Sequence, residues 1–467
     1  MLVKQTIKYK SNNRYFAGFI QDIINDSKID ANVSMYDGKI ELLVSTKDEK
    51  KLTTFNTMIS KYLPYSIFLD EVVTESIEGK IKKTQFKSDA YAIGPCNRCL
   101  ELLSDPSSSS YLDENLKCRH YSNDDVLESN DYTIYSPHYS KGCSVLITDP
   151  AKVNDLFILT ENELKALYSI EKPTIKATIK DERLKEISKK NYIYIKAPFD
   201  NRSFLASINA KESGISYLFF EDTNDLKVVL VQKNISIIKA SRVASKLEEL
   251  HKDSIINRFL NIAKEAGYKK GAIGANLSSE GISFLVANEI GVKKVINFQD
   301  FNLSKLLVDF SNTKNRTKLL ENFKTKFPEV YEKLKTEDYN LYETICVILE
   351  LDELGFESLS DKSYEFRGNG GLTIDTHFNS EGFDFMSFIG SIMSFKLAGV
   401  EMSYLAYSIF ESLGDMTILV LNQLKKEFNI DKFIMMGDMF SNSVLYSRIL
   451  SKFQLSNPYF SRAIALS

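Results

Sequence analysis

Three cysteines are the residues of this chain whose spacing points most directly to chemistry. Cys96 and Cys99 are separated by two residues, and Cys118 follows after a further eighteen. Thiols at this spacing are how small domains hold a zinc ion in tetrahedral geometry. The sequence therefore indicates either a structural zinc site or three thiols that stay reduced in the cytosol.

A tetrahedral site needs a fourth ligand, which this spacing would place near position 121, where the chain has Tyr121. The alternatives are His120 beside it, or His138 or Cys143 from farther along the chain. We expect the ligand set Cys96, Cys99, Cys118 and His120.

A second, weaker copy of the cysteine unit follows the first. Cys99 precedes Asp105-Pro106 by six residues, and Cys143 precedes Asp149-Pro150 by the same interval. Residues 91–150 are therefore predicted to be a degenerate double zinc-finger region, in which the second finger has lost its ligands.

The composition excludes several classes of protein. Among 467 residues, 59 Lys and Arg face 62 Asp and Glu, so the net charge of -3 gives no attraction to the phosphates of nucleic acid. No secretory signal or apolar run of about 20 residues is evident, which favours a cytoplasmic protein without membrane insertion. Five cysteines, an odd number, suit metal ligation or free thiols better than disulfides.

The hydrophobic pattern predicts several units along the chain. Strands at 3–9 and 38–45 and helices at 16–24 and 52–62 make residues 1–78 a small α/β domain. Residues 151–190 are charged, helix-prone and broken by Pro173, which is typical of a linker.

The remaining residues, 191–467, are predicted to form one large domain. Four β-rich runs open it, at 192–196, 203–208, 215–220 and 226–231. A mainly helical section at 303–355 follows, then a long amphipathic segment at 385–428. A buried strand at 432–436 and a helix at 442–453 complete the pattern.

Local strings resemble one protein family. They are Cys96-x-x-Cys99-Leu100-Glu101-Leu-x-x-Asp105-Pro106, Leu159-Thr-Glu-Asn-Glu163 through Ser169-Ile-Glu-Lys-Pro173, Met436-Gly437-Asp438-Met-Phe440-Ser-Asn442-Ser-Val-Leu445 and Ser461-Arg-Ala-Ile464-Ala-Leu466-Ser467. In this order they resemble HypF, the carbamoyltransferase family that helps build the cyanide ligands of nickel-iron hydrogenase.

The resemblance implies a multidomain fold of the α/β and α+β classes. Its parts would be an acylphosphatase-like domain with a ferredoxin-like fold at 1–78, the degenerate fingers at 91–150, a remnant of the adenylate-forming domain at 151–190, and a two-lobed, actin-like (ASKHA) carbamoyltransferase-like domain at 191–467. The family's chain is longer, and its adenylate-forming domain is expected to be nearly absent here.

The positions that carry chemistry in the family have changed. By position Arg14 resembles the phosphate-binding arginine of the acylphosphatase domain, but the glycines before it are asparagines, and Met35 stands where the family has the asparagine that orients water. Arg14 is thus a vestigial catalytic candidate, and an ordinary surface cation is the simpler interpretation.

The C-terminal domain has lost its metal and nucleotide ligands in the same way. The four histidines, at 120, 138, 251 and 377, include no closely spaced pair. Asp438 replaces a glycine of the family's Ser-Gly-Gly, and Ser461-Arg462-Ala463 replaces its terminal Asp-Gly-Gly. No bound nucleotide is therefore expected.

These observations lead to two main hypotheses. The first is a non-catalytic hydrogenase maturation accessory protein that binds maturation factors or a hydrogenase subunit, with structural zinc. The alternative is a divergent ATP-dependent transferase acting on carbamoyl or another acyl phosphate. A zinc-dependent adaptor without a hydrogenase link is a third possibility.

Overall fold

The computed structural model describes residues 2–36, 38–45, 47–84, 86–88, 91, 93–118, 120, 134–221, 226–239, 243–379, 382–453 and 457–467. Its contacts divide the chain into two compact units. The first contains residues 1–246 together with 462–465, and the second contains 247–461 together with 466–467.

The first unit begins with a four-stranded antiparallel sheet covered by two helices. Its elements in chain order are the strand Leu2–Tyr9, the helix Tyr15–Ser27, the strands Ala31–Tyr36 and Lys39–Ser45, the helix Glu49–Tyr62 and the strand Leu69–Ile77. The first strand lies between the third and the fourth, and the second lies at the edge beside the third. This β-α-β-β-α-β order is that of ferredoxin-like folds, and it includes the strands and helices predicted at 3–9, 16–24, 38–45 and 52–62.

The helix Tyr15–Ser27 forms because its apolar residues recur at helical spacing. Phe16, Ile20, Ile23 and Ile24 are all buried against the sheet. On another side of the helix, Gly18 allows a close approach, since a Cβ there would lie 2.7 Å from the Cβ of Ser88. This helix positions part of the site described below.

The first unit also contains a seven-stranded mixed sheet. Its strands are Ser144–Ile147, Phe157–Ile158, Thr174–Ile179, Tyr192–Lys196, Tyr217–Phe220, Lys227–Val231 and Asn234–Ile237. The accompanying helices are Val153–Leu156, Glu161–Leu167, Glu182–Ser188 and Asn201–Glu212. The finger region contributes one further helix, Asn97–Ser104.

This sheet differs from the sequence prediction in two respects. The predicted linker 151–190 supplies the strand Thr174–Ile179, which pairs with Tyr192–Lys196, so the sheet crosses the boundary drawn at residue 191. Residues 203–208, predicted as a strand, are helical, because Asp200 and Ser203 form a reciprocal capping box that starts the helix Asn201–Glu212. Residues 151–190, expected to be a linker and a remnant of a domain, therefore contribute to a sheet.

The second unit contains a five-stranded sheet. Three antiparallel strands are Ala272–Ser278, Gly281–Asn288 and Gly291–Asn297. The strand Phe433–Met436 pairs in parallel with the first of them, and Tyr459–Phe460 pairs in parallel with Phe433–Met436 at the edge of the sheet. The residues described within 247–467 form this sheet and one two-stranded hairpin, Phe378–Asn379 with Gly382–Phe383. The strands at 192–231, which the sequence analysis placed in the two-lobed domain at 191–467, belong to the first unit.

Helices make up most of the rest of the second unit, which agrees with the helical section predicted at 303–355. They are Ser254–Glu265, Leu303–Asn312, Lys314–Lys326, Pro328–Thr336, Leu341–Leu349, Phe356–Glu365, Phe385–Leu397, Met402–Phe428 and Ser443–Lys452. The helix Met402–Phe428 is long and apolar enough to cross a membrane, but 72% of its apolar window is buried inside the structure. This burial is typical of the core helix of a globular protein.

Residues 462–465 belong to the first unit, although they follow residues 247–461 of the second unit in the sequence. The backbone N–H of Ser245 donates to the carbonyl of Ala463 (2.7 Å), and the side chain of Arg462 donates to the carbonyl of Leu69 (3.1 Å). Ala465 is buried in the hydrophobic core of the first unit. The first unit is thus built from two segments that are far apart in the sequence.

Candidate metal centre

The structure brings the three predicted cysteines together. The thiol sulfurs of Cys96, Cys99 and Cys118 all lie within 4.8 Å of one another, and those of Cys96 and Cys99 are 3.6 Å apart. Cys96 and Cys99 are each 7% exposed, and Cys118 is half-buried. Three soft donors at this separation could bind a metal ion.

A helix start and an adjacent backbone contact position the thiols. Cys96 is the N-cap of the helix Asn97–Ser104, and Cys99 lies in the first turn of that helix. The segment carrying Cys118 is held by a hydrogen bond from the backbone N–H of Tyr91 to the carbonyl of His120 (3.1 Å).

The three thiols influence one another's ionisation. Hydrogen bonds from Cys118 and Cys99, assisted by backbone N–H groups of the helix start, lower the pKa of Cys96. The pKa of Cys99 is raised by its contacts with Cys118 and Cys96, and that of Cys118 is raised by its contact with Cys96. The cluster therefore favours one thiolate, stabilised by its neighbours and by the helix N-terminus.

His120, the predicted fourth ligand, lies in the same cavity but outside the 4.8 Å cluster. Its side chain is buried, and its Nε2 is 2.8 Å from the carboxylate Oδ2 of Asp22. Its ring centroid lies 4.4 Å from that of Phe19. Both contacts come from the helix Tyr15–Ser27.

The cavity that the thiols and His120 share has a volume of about 310 Å³ and is also lined by Asp22 and Arg98. The residues predicted as ligands thus line a single cavity. They come from a helix start and from a separate segment of the chain.

The other two candidates for the fourth ligand lie elsewhere. His138 is exposed, and its backbone N–H donates to the hydroxyl of Ser136. The thiol of Cys143 is 2.7 Å from the hydroxyl of Ser140. Neither belongs to the thiol cluster, and Tyr121 lies outside the described residues.

Two residues of this site were not foreseen from the sequence. Asp22 contacts His120 from 98 residues away. A Cβ on Gly18 would lie 2.8 Å from Cε1 of His120. The available signal was a polar residue, Asp22, between the buried apolar positions of a short helix.

No protein-family model matches the chain. Two solved structures resemble it along almost its whole length. The crystal structure of T. kodakarensis HypF matches with a TM-score of 0.63 and 11% identity, over 99% of this chain and 95% of that one. Full-length HypF in the phosphate- and nucleotide-bound form matches with a TM-score of 0.59 and 13% identity, over 98% and 95%.

This chain has the fold of HypF. The resemblance predicted from the sequence strings is thereby confirmed at the level of fold. A relative in sequence is the protein HydE of Wolinella succinogenes, which is 24% identical over 343 residues. That match covers 65% of this chain and 62% of HydE, so the chain spans less than two thirds of that relative's length.

Arg14 has the surroundings of a surface residue within this HypF-like fold. It is exposed, and its guanidinium carbon lies 4.4 Å from the centroid of the Phe86 ring, a cation–π contact. The neighbouring Asn13 donates its side-chain amide to the carbonyl of Val243 (2.6 Å), which anchors this loop. Met35, at the position of the family's asparagine, packs against the core.

The turn at Met436-Gly437-Asp438 is held by contacts within the second unit. Gly437 has a φ of 113°, and a Cβ there would lie 2.0 Å from the carbonyl oxygen of Leu277. Its N–H donates to the carbonyl of Leu466 (2.6 Å). The Asp438 carboxylate accepts from the backbone N–H (2.7 Å) and the hydroxyl of Ser279.

Ser461, which the sequence resemblance aligns with the first residue of the terminal Asp-Gly-Gly, also has an internal partner. Its hydroxyl donates to the carboxylate of Glu265 (2.6 Å), which accepts a second hydrogen bond from the hydroxyl of Tyr459 (2.8 Å). Ser461 is fully buried. Asp438 and Ser461 therefore take part in structural contacts within the second unit.

Proposed function

We propose that this protein is a HypF-like accessory factor in the maturation of nickel-iron hydrogenase and that it acts in the cytoplasm by binding other proteins rather than by catalysis. The HypF fold over 99% of the chain supports the first part, because the resemblance implies this pathway. The partners would be maturation factors or a hydrogenase subunit. Neither nucleic acid nor membrane has a part in this proposal.

One observation carries the non-catalytic part of the proposal. The carboxylate of Asp438, fixed by two hydrogen bonds from Ser279, places negative charge where the family has a glycine. A fixed carboxylate repels a phosphate, and the repulsion is strongest where water is excluded. Any triphosphate approaching this turn would meet that charge.

Zinc bound by Cys96, Cys99 and Cys118, with His120 as the fourth ligand, would have a structural role. The donor set suits this ion. Zinc would hold the helix Asn97–Ser104 against the segment that carries Cys118.

Association with the pathway is tested by affinity purification from the native cell. The tagged chain should recover a hydrogenase maturation factor or hydrogenase subunit, identified by mass spectrometry and absent from a tag-only control. Recovery of neither, from cells that are assembling hydrogenase, would overturn the proposed pathway.

Catalysis is tested with the purified chain, carbamoyl phosphate, ATP and magnesium. We expect release of phosphate and AMP at the rate of the buffer alone. A release that disappears in Arg14→Ala or Asp438→Ala variants would overturn the non-catalytic proposal.

The second candidate function is the divergent carbamoyl or acyl phosphate transferase. It is favoured by one of the structures that share this fold, which is a phosphate- and nucleotide-bound HypF. The same assay supports this candidate if product forms, and magnesium-dependent ATP binding measured by calorimetry would support it independently.

A further inference from the structure

His120 is surrounded by one face of a helix from a different part of the sequence. Within the helix Tyr15–Ser27, the Phe19 ring lies 4.4 Å from the His120 ring, centroid to centroid, and Asp22 contacts Nε2. Gly18 leaves room for the ring, since a Cβ there would lie 2.8 Å from Cε1. The imidazole is 3% exposed. Burial of this polar ring is compensated at Nε2 by a charged partner.

The contact with Asp22 bears on which nitrogen of the imidazole carries the hydrogen. With Asp22 ionised, its carboxylate only accepts hydrogen bonds, and the 2.8 Å contact then requires the hydrogen on Nε2 of His120. In the neutral ring the lone pair then belongs to Nδ1. This is the form in which a histidine can donate Nδ1 to a metal.

A carboxylate behind a ligating histidine is a recurrent arrangement. It fixes the tautomer and the orientation of the ring, and it raises the basicity of the donor nitrogen. Here Asp22, His120 and the three thiols line one cavity, and His120 is only two residues from Cys118. A metal ion bound to the thiols could therefore also be coordinated by Nδ1, while Nε2 keeps its hydrogen bond to Asp22.

We infer that Asp22 is a positioning residue for the metal centre, holding His120 so that Nδ1 serves as the fourth ligand. The inference rests on the metal site of the proposed function. Its consequence is that the ion would connect the finger region to the helix Tyr15–Ser27, and the first domain would thereby contribute to metal affinity.

The test measures zinc affinity of the full chain by competition with a chromogenic chelator. Asp22→Ala should weaken zinc binding by about 10- to 100-fold, and the near-isosteric Asp22→Asn by less, because its amide oxygen still accepts from Nε2. The matched control is Asp26→Ala. Asp26 lies one turn farther along the same helix and pairs with Arg98 of the finger helix, but it does not contact His120.

Cobalt spectroscopy separates a ligand contact from loss of folding. In the Co²⁺-loaded chain, His120→Ala should change the visible ligand-field bands, and Asp22→Ala introduced into His120→Ala should cause no further loss of affinity. Asp26→Ala should leave the bands as in the unaltered chain. Thermal unfolding of every variant shows whether it is folded.

Each contrary outcome overturns a definite claim. A His120→Ala spectrum identical to that of the unaltered chain, or equal zinc affinities of the Asp22→Ala and Asp26→Ala variants, overturns the role of Asp22 while leaving a three-cysteine site intact. An unaltered chain that binds no metal, or binding unaffected by Cys96→Ser, overturns the proposed site and this inference together.

Discussion

The carboxylate of Asp438 and the turn residue Ser279 form a paired contact, in which Ser279 donates both its backbone N–H (2.7 Å) and its hydroxyl. Ser279 lies between the strands Ala272–Ser278 and Gly281–Asn288, and Asp438 follows the strand Phe433–Met436. The contact therefore joins the tip of a hairpin to the end of the neighbouring parallel strand. Asp438, which the sequence resemblance aligns with a glycine, thus stabilises the sheet.

Truncation of this carboxylate should destabilise the second unit. We expect Asp438→Ala to lower the free energy of unfolding by about 1.5–3 kcal/mol, because it removes a charged acceptor from two donors. The measurement is urea denaturation followed by circular dichroism. Asp431→Ala is the control, since Asp431 is 64% exposed and pairs only at the surface with Lys432, so its effect should be within about 0.5 kcal/mol. Equal effects of the two substitutions would argue against this role.

Gly437 is expected to tolerate no side chain. Its φ of 113° and the 2.0 Å separation between a Cβ and the carbonyl oxygen of Leu277 predict that Gly437→Ala costs at least about 3 kcal/mol of folding free energy. Gly281→Ala is the control, because nothing lies within 4 Å of its Cβ position; alanine there should be neutral or stabilising by up to about 1 kcal/mol. Similar unfolding midpoints for both variants would show that the strand end can rearrange.

The five cysteines provide an internally controlled test of the metal centre. Replacement of Cys96, Cys99 or Cys118 by serine should lower the zinc content of the purified chain, because each removes a thiolate donor. Cys143→Ser and Cys346→Ser should leave it unchanged, since neither residue belongs to the cluster. Elemental analysis by mass spectrometry gives the measurement. A uniform zinc content across all five variants would assign the metal to another site.

A fully buried carboxylate in the first unit predicts a dependence of stability on pH. Glu171 accepts hydrogen bonds from the hydroxyls of Tyr15 (2.7 Å) and Ser66 (2.5 Å) and from the backbone N–H of Ile67 (3.0 Å). Burial nevertheless raises the pKa of Glu171 above its ordinary value of 4.5.

The sign of the effect follows from proton binding. Between pH 4.5 and the raised pKa, the folded chain holds this proton more tightly than the unfolded chain, so stability falls as the pH rises through this window. As the pH increases from 4.5, the unfolding midpoint of the unaltered chain should therefore decrease relative to that of Glu171→Gln. Glu161→Gln, at a carboxylate whose side chain is 80% exposed, is the control and should show little change. An unfolding midpoint of the unaltered chain that rises relative to that of Glu171→Gln as the pH increases from 4.5 would contradict the prediction.

Local patterns were sufficient to predict two strands and both helices of residues 1–78. The strand Leu2–Tyr9 alternates, and the helix Tyr15–Ser27 carries its apolar residues at helical spacing, so both elements follow from short-range sequence. The thiol cluster followed similarly from the spacing of Cys96, Cys99 and Cys118, which the fold brings within 4.8 Å of one another.

The second sheet depended on pairings that short-range patterns do not encode. The strand Thr174–Ile179 lies between two short, charged helices, so its surroundings are typical of a linker, and its partners are at 192–196 and 227–228. The contact of Asp22 with His120 is equally non-local, because no periodicity relates two residues that are 98 positions apart. At 203–208, by contrast, the information was local: Asp200 caps the helix, and this signal outweighs the β-rich composition.

The return of residues 462–465 to the first unit has a consequence for synthesis. As the nascent chain leaves the ribosome, residues 1–246 emerge first. Ala465, which packs in their core, and Ala463, which accepts from the Ser245 amide, emerge only after residues 247–461 of the second unit. Until then, part of the apolar interior of residues 1–246 is not covered by Ala465. Completion of the amino-terminal unit therefore comes late, after residues 247–461 have been translated.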